Sequence, residues 1–173
     1  MRAQHESTIL MGSPGSGKSF LANRLAAEGI ASYLEIEPIL VARFGTGQEF
    51  QSQIKEVGAF LWHSYTEQLR SSQLPVIFES TGVSDRLLLD RLRRSYQTAT
   101  AHVKAGRSLC IHRLLGRGRG HNISNSDDPE VIGGFYDFWC EQVAPTYDYD
   151  LSVDGVDVPA ATREIREFIS RSL

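Results

Sequence analysis

The chain has 173 residues, which is enough for one domain with a hydrophobic core and too few for two domains of ordinary size. Hydrophobic residues make up 41% of the chain and charged residues 23%, and the formal net charge is −3, so nothing in the composition indicates a general attraction to nucleic acid or to anionic membranes. No apolar run approaches the roughly 18 residues that span a bilayer, and the first residues lack the apolar core of a secretory signal.

Short apolar segments alternate with amphipathic segments along the chain. This alternation predicts a parallel sheet covered by helices on both faces. The predicted strands are residues 8–11, 32–36, 76–79, 98–103 and 151–153. The predicted helices are residues 18–28, 50–71, 85–95, 108–115, 129–143 and 160–170. Residues 116–128, GRGRGHNISNSDD, are predicted to form a mobile loop.

The first predicted strand runs directly into GSPGSGKS, which matches the pattern G-x-x-x-x-G-K-[S/T] over residues 12–19. Glycines let several backbone N–H groups turn inward around phosphate oxygens, and the positive end of the following helix adds attraction. Lys18 can then reach the β- and γ-phosphates, and the Ser19 hydroxyl can bind Mg²⁺. The sequence therefore predicts a nucleoside triphosphate site. Its residues are Gly12, Ser13, Pro14, Gly15, Ser16, Gly17, Lys18, Ser19 and Phe20.

Three carboxylates follow the predicted strands. Glu35 and Glu37 end the second strand, where they point the same way on an extended chain, and Glu79 ends the third. The carboxyl ends of parallel strands form the rim of the ligand crevice in an open sheet. All three side chains are thus placed to approach the γ-phosphate or its metal, and the sequence leaves Glu35 and Glu79 unranked as metal ligands.

Over most of its length the sequence resembles the small-molecule kinases of the shikimate kinase and gluconate kinase group, which are relatives of the nucleoside monophosphate kinases. The resemblance rests on the glycine-rich loop and on Glu35-x-Glu37, where shikimate kinases have Asp-x-Asp. It also rests on RFG at 43–45, KEVGAF at 55–60 and PTYDYDLSVDG at 145–155. It implies a P-loop α/β/α fold with a five-stranded parallel sheet of order 2-3-1-4-5 and a mobile lid. It further implies that Glu37 accepts the proton of an attacking hydroxyl and that Glu35 lies beside the metal.

The acceptor side departs from the shikimate kinase pattern. FLWH at 60–63 and WCEQV at 139–143 lack the two arginines that bind the substrate carboxylate in that family, and STG at 80–82 replaces Gly-Gly-Gly. Losing charge-paired contacts to a carboxylate costs about 2–5 kcal/mol of binding, so we expect the protein not to use shikimate. The candidates for the acceptor pocket are Trp62, His63, Thr81 and Gly82, together with Glu37.

Arg113, Arg117 and Arg119 fall within seven residues near the predicted loop. We interpret residues 113–128 as the lid, in which Arg113 stacks on the adenine and the other two arginines neutralise charge on the transferred phosphoryl group. Arg117 and Arg119 alternate with glycines, which suits a segment that closes and reopens. A solvated basic loop is the alternative, and a contact with RNA or DNA is a smaller possibility.

The sequence as a whole predicts a kinase that transfers the γ-phosphate of ATP to a hydroxyl of a small molecule. Lys18, Glu37 and Arg117 are its predicted catalytic residues, and ATP and Mg²⁺ its cofactors. Two alternatives stay open: a kinase for nucleotides or nucleic-acid ends, and a nucleotide-binding regulatory protein without kinase activity. We expect a single cytoplasmic domain over residues 1–173, monomeric or homodimeric, with neither a membrane nor a long nucleic acid as partner.

Overall fold

The computed structural model describes residues 6–83, 85–117, 126–143 and 147–172. The strands are β1 Glu6–Met11, β2 Ser32–Tyr33, β3 Val76–Ser80, β4 Gln97–Lys104 and β5 Tyr149–Ser152. The helices are α1 Lys18–Ala27, α2 Ile36–Phe44, α3 Gly47–Ser52, α4 Ile54–Ser71, α5 Arg86–Ser95, α6 Arg107–Arg117, α7 Pro129–Gln142 and α8 Val158–Ser172.

The five strands form one parallel sheet in the order β2-β3-β1-β4-β5. The predicted order 2-3-1-4-5 is therefore confirmed. In this register Leu10 of β1 pairs with Glu79 of β3, so the two strands end side by side. The loop after β1 and the carboxylate at the end of β3 consequently meet at the same edge of the sheet, where open parallel sheets bind ligands.

The sheet is buried on both faces because successive side chains along each strand point in opposite directions. Ile9 and Met11 of β1 lie in one core, which includes residues of α2, α3, α4, α5 and α7. Leu10 lies in the other core, against residues of α1 and α8. The two cores make a three-layer α/β/α arrangement, as the alternation of segments predicts.

The second strand is shorter than predicted. It ends at Tyr33, and α2 begins at Ile36 with Glu35 as its N-cap residue. Pro38 does not prevent this helix, because a proline in the first turn removes an N–H group that has no partner within the helix anyway. The prediction of an extended chain through residue 36 is therefore wrong, and Glu37 lies in the first helical turn instead of pointing the same way as Glu35.

The long helix predicted over residues 50–71 is also interrupted. α3 ends at Ser52 and α4 begins at Ile54, with Gln53 between them in a non-helical conformation. The side-chain amide of Gln53 donates to the carbonyl oxygens of Phe44 and Glu49, both at 3.2 Å. These bonds satisfy carbonyl groups in the last turns of α2 and α3. α2 itself is absent from the predicted set of elements.

The remaining elements follow the prediction to within one or two residues. α7 begins after Asp128, whose side chain accepts a hydrogen bond from the Glu130 N–H, and Pro129 occupies the first helical position. Of the predicted loop and lid, residues 118–125 lie outside the described residues. Within the described ranges, no helix combines the length and the apolar character needed to cross a bilayer.

Candidate active site

The glycine-rich loop packs so closely against its neighbours that it requires glycines. Gly15 and Gly17 have positive φ angles of 78° and 102°, in the region that L-residues with a side chain avoid. A Cβ at Gly12 comes 2.5 Å from the Val103 carbonyl oxygen, and one at Gly15 comes 2.6 Å from the Cys110 carbonyl oxygen. With this backbone, α1 starts at Lys18 directly after the loop, so the free N–H groups of its first turn lie next to it.

Lys18 lies beneath the loop and is buried. Its ammonium donates to the carbonyl oxygens of Gly12 at 3.0 Å and Ser13 at 2.9 Å. Burial lowers the pKa of Lys18, and the negative charges of Glu79 and Glu37 oppose that shift. A buried ammonium held mostly by neutral carbonyls, beside a cradle of glycines, is an arrangement that fits an anionic polyphosphate.

Glu79 lies at the centre of a three-residue hydrogen-bond network. The Ser19 hydroxyl donates to Glu79 Oε2 at 2.6 Å, and the Tyr33 hydroxyl donates to Glu79 Oε1 at 2.5 Å. Burial and the adjacent Glu79 charge raise the pKa of Tyr33, so the phenol stays a hydrogen-bond donor. A serine hydroxyl and a carboxylate side by side at the phosphate loop are the hard oxygen donors that Mg²⁺ prefers.

Glu37 faces Arg117 across the opening of the site. The guanidinium Nη1 of Arg117, at the end of α6, lies 3.8 Å from Glu37 Oε2. Both side chains are about one-third exposed, at 37% and 30%, so solvent weakens this ion pair. The pair brings together two of the three predicted catalytic residues, and the charges of both affect the pKa of the third, Lys18.

Asp85 adds a carboxylate that the sequence analysis did not single out. The Ser80 hydroxyl lies 2.7 Å from both of its carboxylate oxygens, and the same Ser80 oxygen accepts a hydrogen bond from the Gly82 N–H at 2.7 Å. Burial raises the pKa of Asp85, while the hydrogen bond from Ser80 and the charge of Lys18 oppose the shift. A signal for it was present: Asp85 is the residue before α5, just past the carboxyl end of β3.

These groups share one cavity of about 700 Å³, within the usual size range of small-molecule sites. At its polar end lie Lys18, Ser19, Glu37, Glu79, Asp85 and Arg117. The rest of its wall is mainly apolar and comes from α2, α3, α4, α5 and α7. The predicted phosphate site is therefore continuous with an apolar chamber whose wall is formed by residues outside the glycine-rich motif.

Of three further predicted site residues, one lines this cavity and two lie outside its lining. Thr81 lines it, and its carbonyl oxygen accepts a hydrogen bond from the Trp139 indole N–H at 2.7 Å. Gly82 is buried against Met11 and Val143 and does not line the cavity. Phe20, on α1, is 56% exposed and also lies outside the lining.

The structure separates the two metal-shell candidates. Glu35 is exposed, lies near the Asn23 amide at 3.4 Å, and does not line the cavity, whereas Glu79 binds Ser19 directly. The geometry thus favours Glu79 over Glu35 as a metal ligand, and the implied position of Glu35 beside a metal stays a hypothesis that the cavity lining does not support. The physical reason is that the chain turns into α2 at residue 36 and carries Glu35 outward.

Trp62 and His63 are likewise corrections to the predicted acceptor pocket. The face of α4 that lines the cavity carries Val57, Gly58 and Leu61, at helical spacing. Trp62 is partly buried, and Cζ of Arg91 lies over its indole ring, 3.7 Å from the ring centre. His63 is exposed. Both therefore project away from the cavity wall.

The predicted lid residues fall into three positions. Arg117 lines the cavity, whereas the Arg113 guanidinium donates to the carbonyl oxygens of Gly15 at 3.2 Å and Ser16 at 2.9 Å. Arg113 thus holds the backbone of the phosphate loop, which leaves its predicted adenine contact a hypothesis. Arg119 lies outside the described residues.

Comparison with known proteins agrees with this geometry. Residues 8–131, more than half of the chain, match the family model described as an AAA domain. The chain belongs to this family. The matched segment of the AAA domain includes the glycine-rich loop, Glu37, Glu79, Asp85 and Arg117. No match was found among curated protein sequences.

Several solved structures with the same fold are described as kinases. A gluconokinase from Sinorhizobium meliloti 1021 is 20% identical with a TM-score of 0.62, covering 98% of this chain and 94% of its own. A shikimate kinase from Bacteroides thetaiotaomicron is 17% identical with a TM-score of 0.64, covering 95% and 98%. A deoxyadenosine kinase from M. mycoides, solved with bound dATP, is 15% identical with a TM-score of 0.55, covering 96% and 100%. The predicted resemblance to the P-loop small-molecule kinase group is confirmed at the level of fold.

Proposed function

We propose that the protein is an ATP-dependent kinase that transfers the γ-phosphate of ATP to a hydroxyl group of a small molecule. The observation that carries the proposal is the shared cavity in which the phosphate loop, the Ser19–Glu79 pair and the Glu37–Arg117 pair all adjoin an apolar chamber. A protein that only hydrolyses ATP has no need for such a chamber beside the γ-phosphate position.

The loop and Lys18 bind the nucleotide. The backbone N–H groups around Gly15 and Gly17 donate hydrogen bonds to the phosphate oxygens. The Lys18 ammonium exchanges the Gly12 and Ser13 carbonyls for the β- and γ-phosphates. The phosphate charge replaces neutral partners, so nucleotide binding raises the lowered pKa of Lys18. Ser19 and Glu79 would hold Mg²⁺, which when bound neutralises charge on the phosphates.

Glu37 activates the acceptor. Its carboxylate takes the proton of the acceptor hydroxyl as that oxygen forms a bond to the γ-phosphorus, and the bond from the γ-phosphorus to the bridging oxygen of ADP breaks. Arg117 is paired with Glu37 before the reaction and then stabilises the charge on the transferred phosphoryl group, as arginines do in other phosphoryl transfers. The weak ion pair, with both side chains about one-third exposed, suits a group that exchanges partners during the reaction.

A nucleotide-binding regulator is the competing function. It accounts for the phosphate loop and the Ser19–Glu79 pair, but it gives no role to Glu37, Asp85 and the apolar chamber. A nucleoside monophosphate acceptor is less favoured, because the cations among the described lining residues, Lys18 and Arg117, both lie at the ATP end.

ADP release by the purified protein with Mg·ATP tests the proposal. The acceptor panel holds shikimate, gluconate, nucleosides, nucleoside monophosphates and aromatic alcohols, with Lys18→Ala as the blank. A kinase shows turnover that rises with one class of acceptor and is lost in the blank. Tight ATP binding with no response to any acceptor supports the regulatory function instead.

A further inference from the structure

The acceptor chamber is apolar on the side away from the phosphate loop. Its wall includes Leu40 of α2, Phe50 of α3, Leu61 of α4 and Trp139 of α7. At its mouth the side chains of Leu87, Phe135 and Phe138 also line it, and they are 83%, 50% and 46% exposed to solvent. Exposed aromatic and aliphatic groups around a concave site mark a place where an apolar ligand is buried.

The polar groups in that part of the chamber are neutral or negative. Gln48 and Gln51 of α3 line it, as does Asp85, which accepts a hydrogen bond from Ser80 and interacts electrostatically with Lys18. Among the described lining residues, the two cations stand at the phosphate end: Lys18 in the loop and Arg117 beside Glu37. The chamber therefore offers a carboxylate, and no cation of the described wall, to the body of the acceptor.

We infer that the acceptor is an alcohol with an apolar, ring-sized body that carries no carboxylate or phosphate. This rests on the proposed kinase function. An anionic group on the acceptor leaves water on binding and finds no cation of the described wall beside Asp85, and it meets a like charge whenever Asp85 is ionised, so it is disfavoured. A neutral ring gains from burial against Phe135, Phe138 and Trp139, and an ammonium or hydroxyl on that ring can donate to Asp85.

The probes are three matched alcohols that differ in one ring substituent: 2-phenylethanol, 4-(2-hydroxyethyl)benzoate and 2-[4-(aminomethyl)phenyl]ethanol. Their binding to the protein with Mg·ATP analogue is measured by ligand-observed NMR, and their phosphorylation by mass spectrometry with Mg·ATP. We expect the neutral and cationic probes to bind at least about tenfold more tightly than the benzoate. In Asp85→Asn the difference between neutral and anionic probes shrinks to within about threefold, because the like charge is gone.

Gly58→Phe blocks the chamber in a controlled way. Gly58 lines the cavity within α4, and a Cβ there meets nothing within 4 Å, so the first atom of a new side chain has room at the cavity wall. Removing a glycine from a helix interior does not weaken the helix, and urea unfolding checks that the fold is kept. The matched control is Ala59→Phe, at the neighbouring exposed position outside the cavity. Gly58→Phe is expected to abolish probe binding, while Ala59→Phe binds as the wild type does.

Measuring probe binding and probe phosphorylation separately distinguishes failure of this inference from failure of the proposed function. Selective binding of the neutral probe with phosphorylation supports both. Selective binding without transfer keeps the inferred ligand class and removes the kinase proposal. Equal or tighter binding of the benzoate, no binding of the neutral probe, or binding that Gly58→Phe leaves intact overturns the inference.

Discussion

Replacing Gly15 by alanine is the sharpest test of the phosphate loop, because the chain offers a matched position. Gly15 has φ 78° and Gly29, after α1, has φ 68°, so alanine is strained at both. That strain costs about 1–2 kcal/mol in each case. Around Gly29 a new Cβ meets nothing within 4 Å, whereas at Gly15 it lies 2.6 Å from the Cys110 carbonyl oxygen and 3.0 Å from Cys110 Cα. The difference between the two variants therefore isolates the steric overlap.

The overlap at Gly15 cannot be relieved by a flexible side chain. The opposing atoms are backbone of α6, and the Cys110 N–H is hydrogen-bonded to the Gly106 carbonyl at 3.0 Å. The loop must move by at least about 0.4 Å to reach the 3.0 Å below which real Cβ contacts are essentially never seen. Overpacking of this kind costs about 1–3 kcal/mol beyond the strain, and it displaces N–H groups that must point at phosphate oxygens.

Two measurements compare the variants: urea unfolding and titration with a fluorescent ATP analogue in Mg²⁺. Gly29→Ala is expected to lose about 1–2 kcal/mol of unfolding free energy and to bind nucleotide as the wild type does. Gly15→Ala is expected to lose more stability and at least tenfold in nucleotide affinity, about 1.4 kcal/mol. Wild-type affinity in Gly15→Ala, or an equal loss of affinity in both variants, refutes this account of the loop.

Three further predictions concern the carboxylates. Glu37→Gln is expected to lower kcat by about 10²–10⁴ with nucleotide affinity retained, since the amide cannot take the hydroxyl proton; an unchanged kcat excludes Glu37 as the base. Tyr33→Phe removes the hydrogen bond that holds Glu79, and the Mg²⁺ concentration for half activation is expected to rise about fivefold, for one bond worth about 1 kcal/mol; a fall in ATP affinity without a change in Mg²⁺ dependence contradicts the assigned role. Burial raises the pKa of Asp85, so its carboxyl keeps the proton in the folded state at pH values above the ordinary pKa of about 3.9. The unfolding free energy of the wild type is therefore expected to fall relative to that of Asp85→Asn as pH rises from 4 towards 7. The same pH dependence of the unfolding free energy in both proteins, measured with urea, rules this out.

The sequence predicts the parts of this site that depend on local chain geometry. The glycine loop, Lys18 and Ser19 form one continuous motif between a strand and a helix, so their arrangement follows from spacing alone. The sheet order comes from the resemblance to a family and is confirmed by the structure. The motif thus follows from a spacing rule that one sequence is enough to apply, whereas the sheet order is predicted only through the family resemblance.

The parts it does not predict depend on tertiary packing. Glu35 follows β2 and Glu79 lies near the end of β3, and the turn into α2 decides that Glu79, and not Glu35, bonds to Ser19. Trp62 and His63 belong to α4, but which face of that helix meets the cavity is set by its packing on β3 and not by its own spacing. Asp85 becomes a cavity residue through its contact with Ser80, a pairing that no motif contains.

In the proposed reaction, a phosphoryl group moves from ATP to an alcohol held in the apolar chamber. The most direct measurement is a single-turnover reaction of excess protein with Mg·ATP carrying ¹⁸O in the γ-phosphate, followed by mass spectrometry of the added aromatic alcohol. We expect the alcohol to gain one labelled phosphoryl group with the wild type and none with Lys18→Ala. Label found only in inorganic phosphate, at the same rate with and without the alcohol, contradicts it.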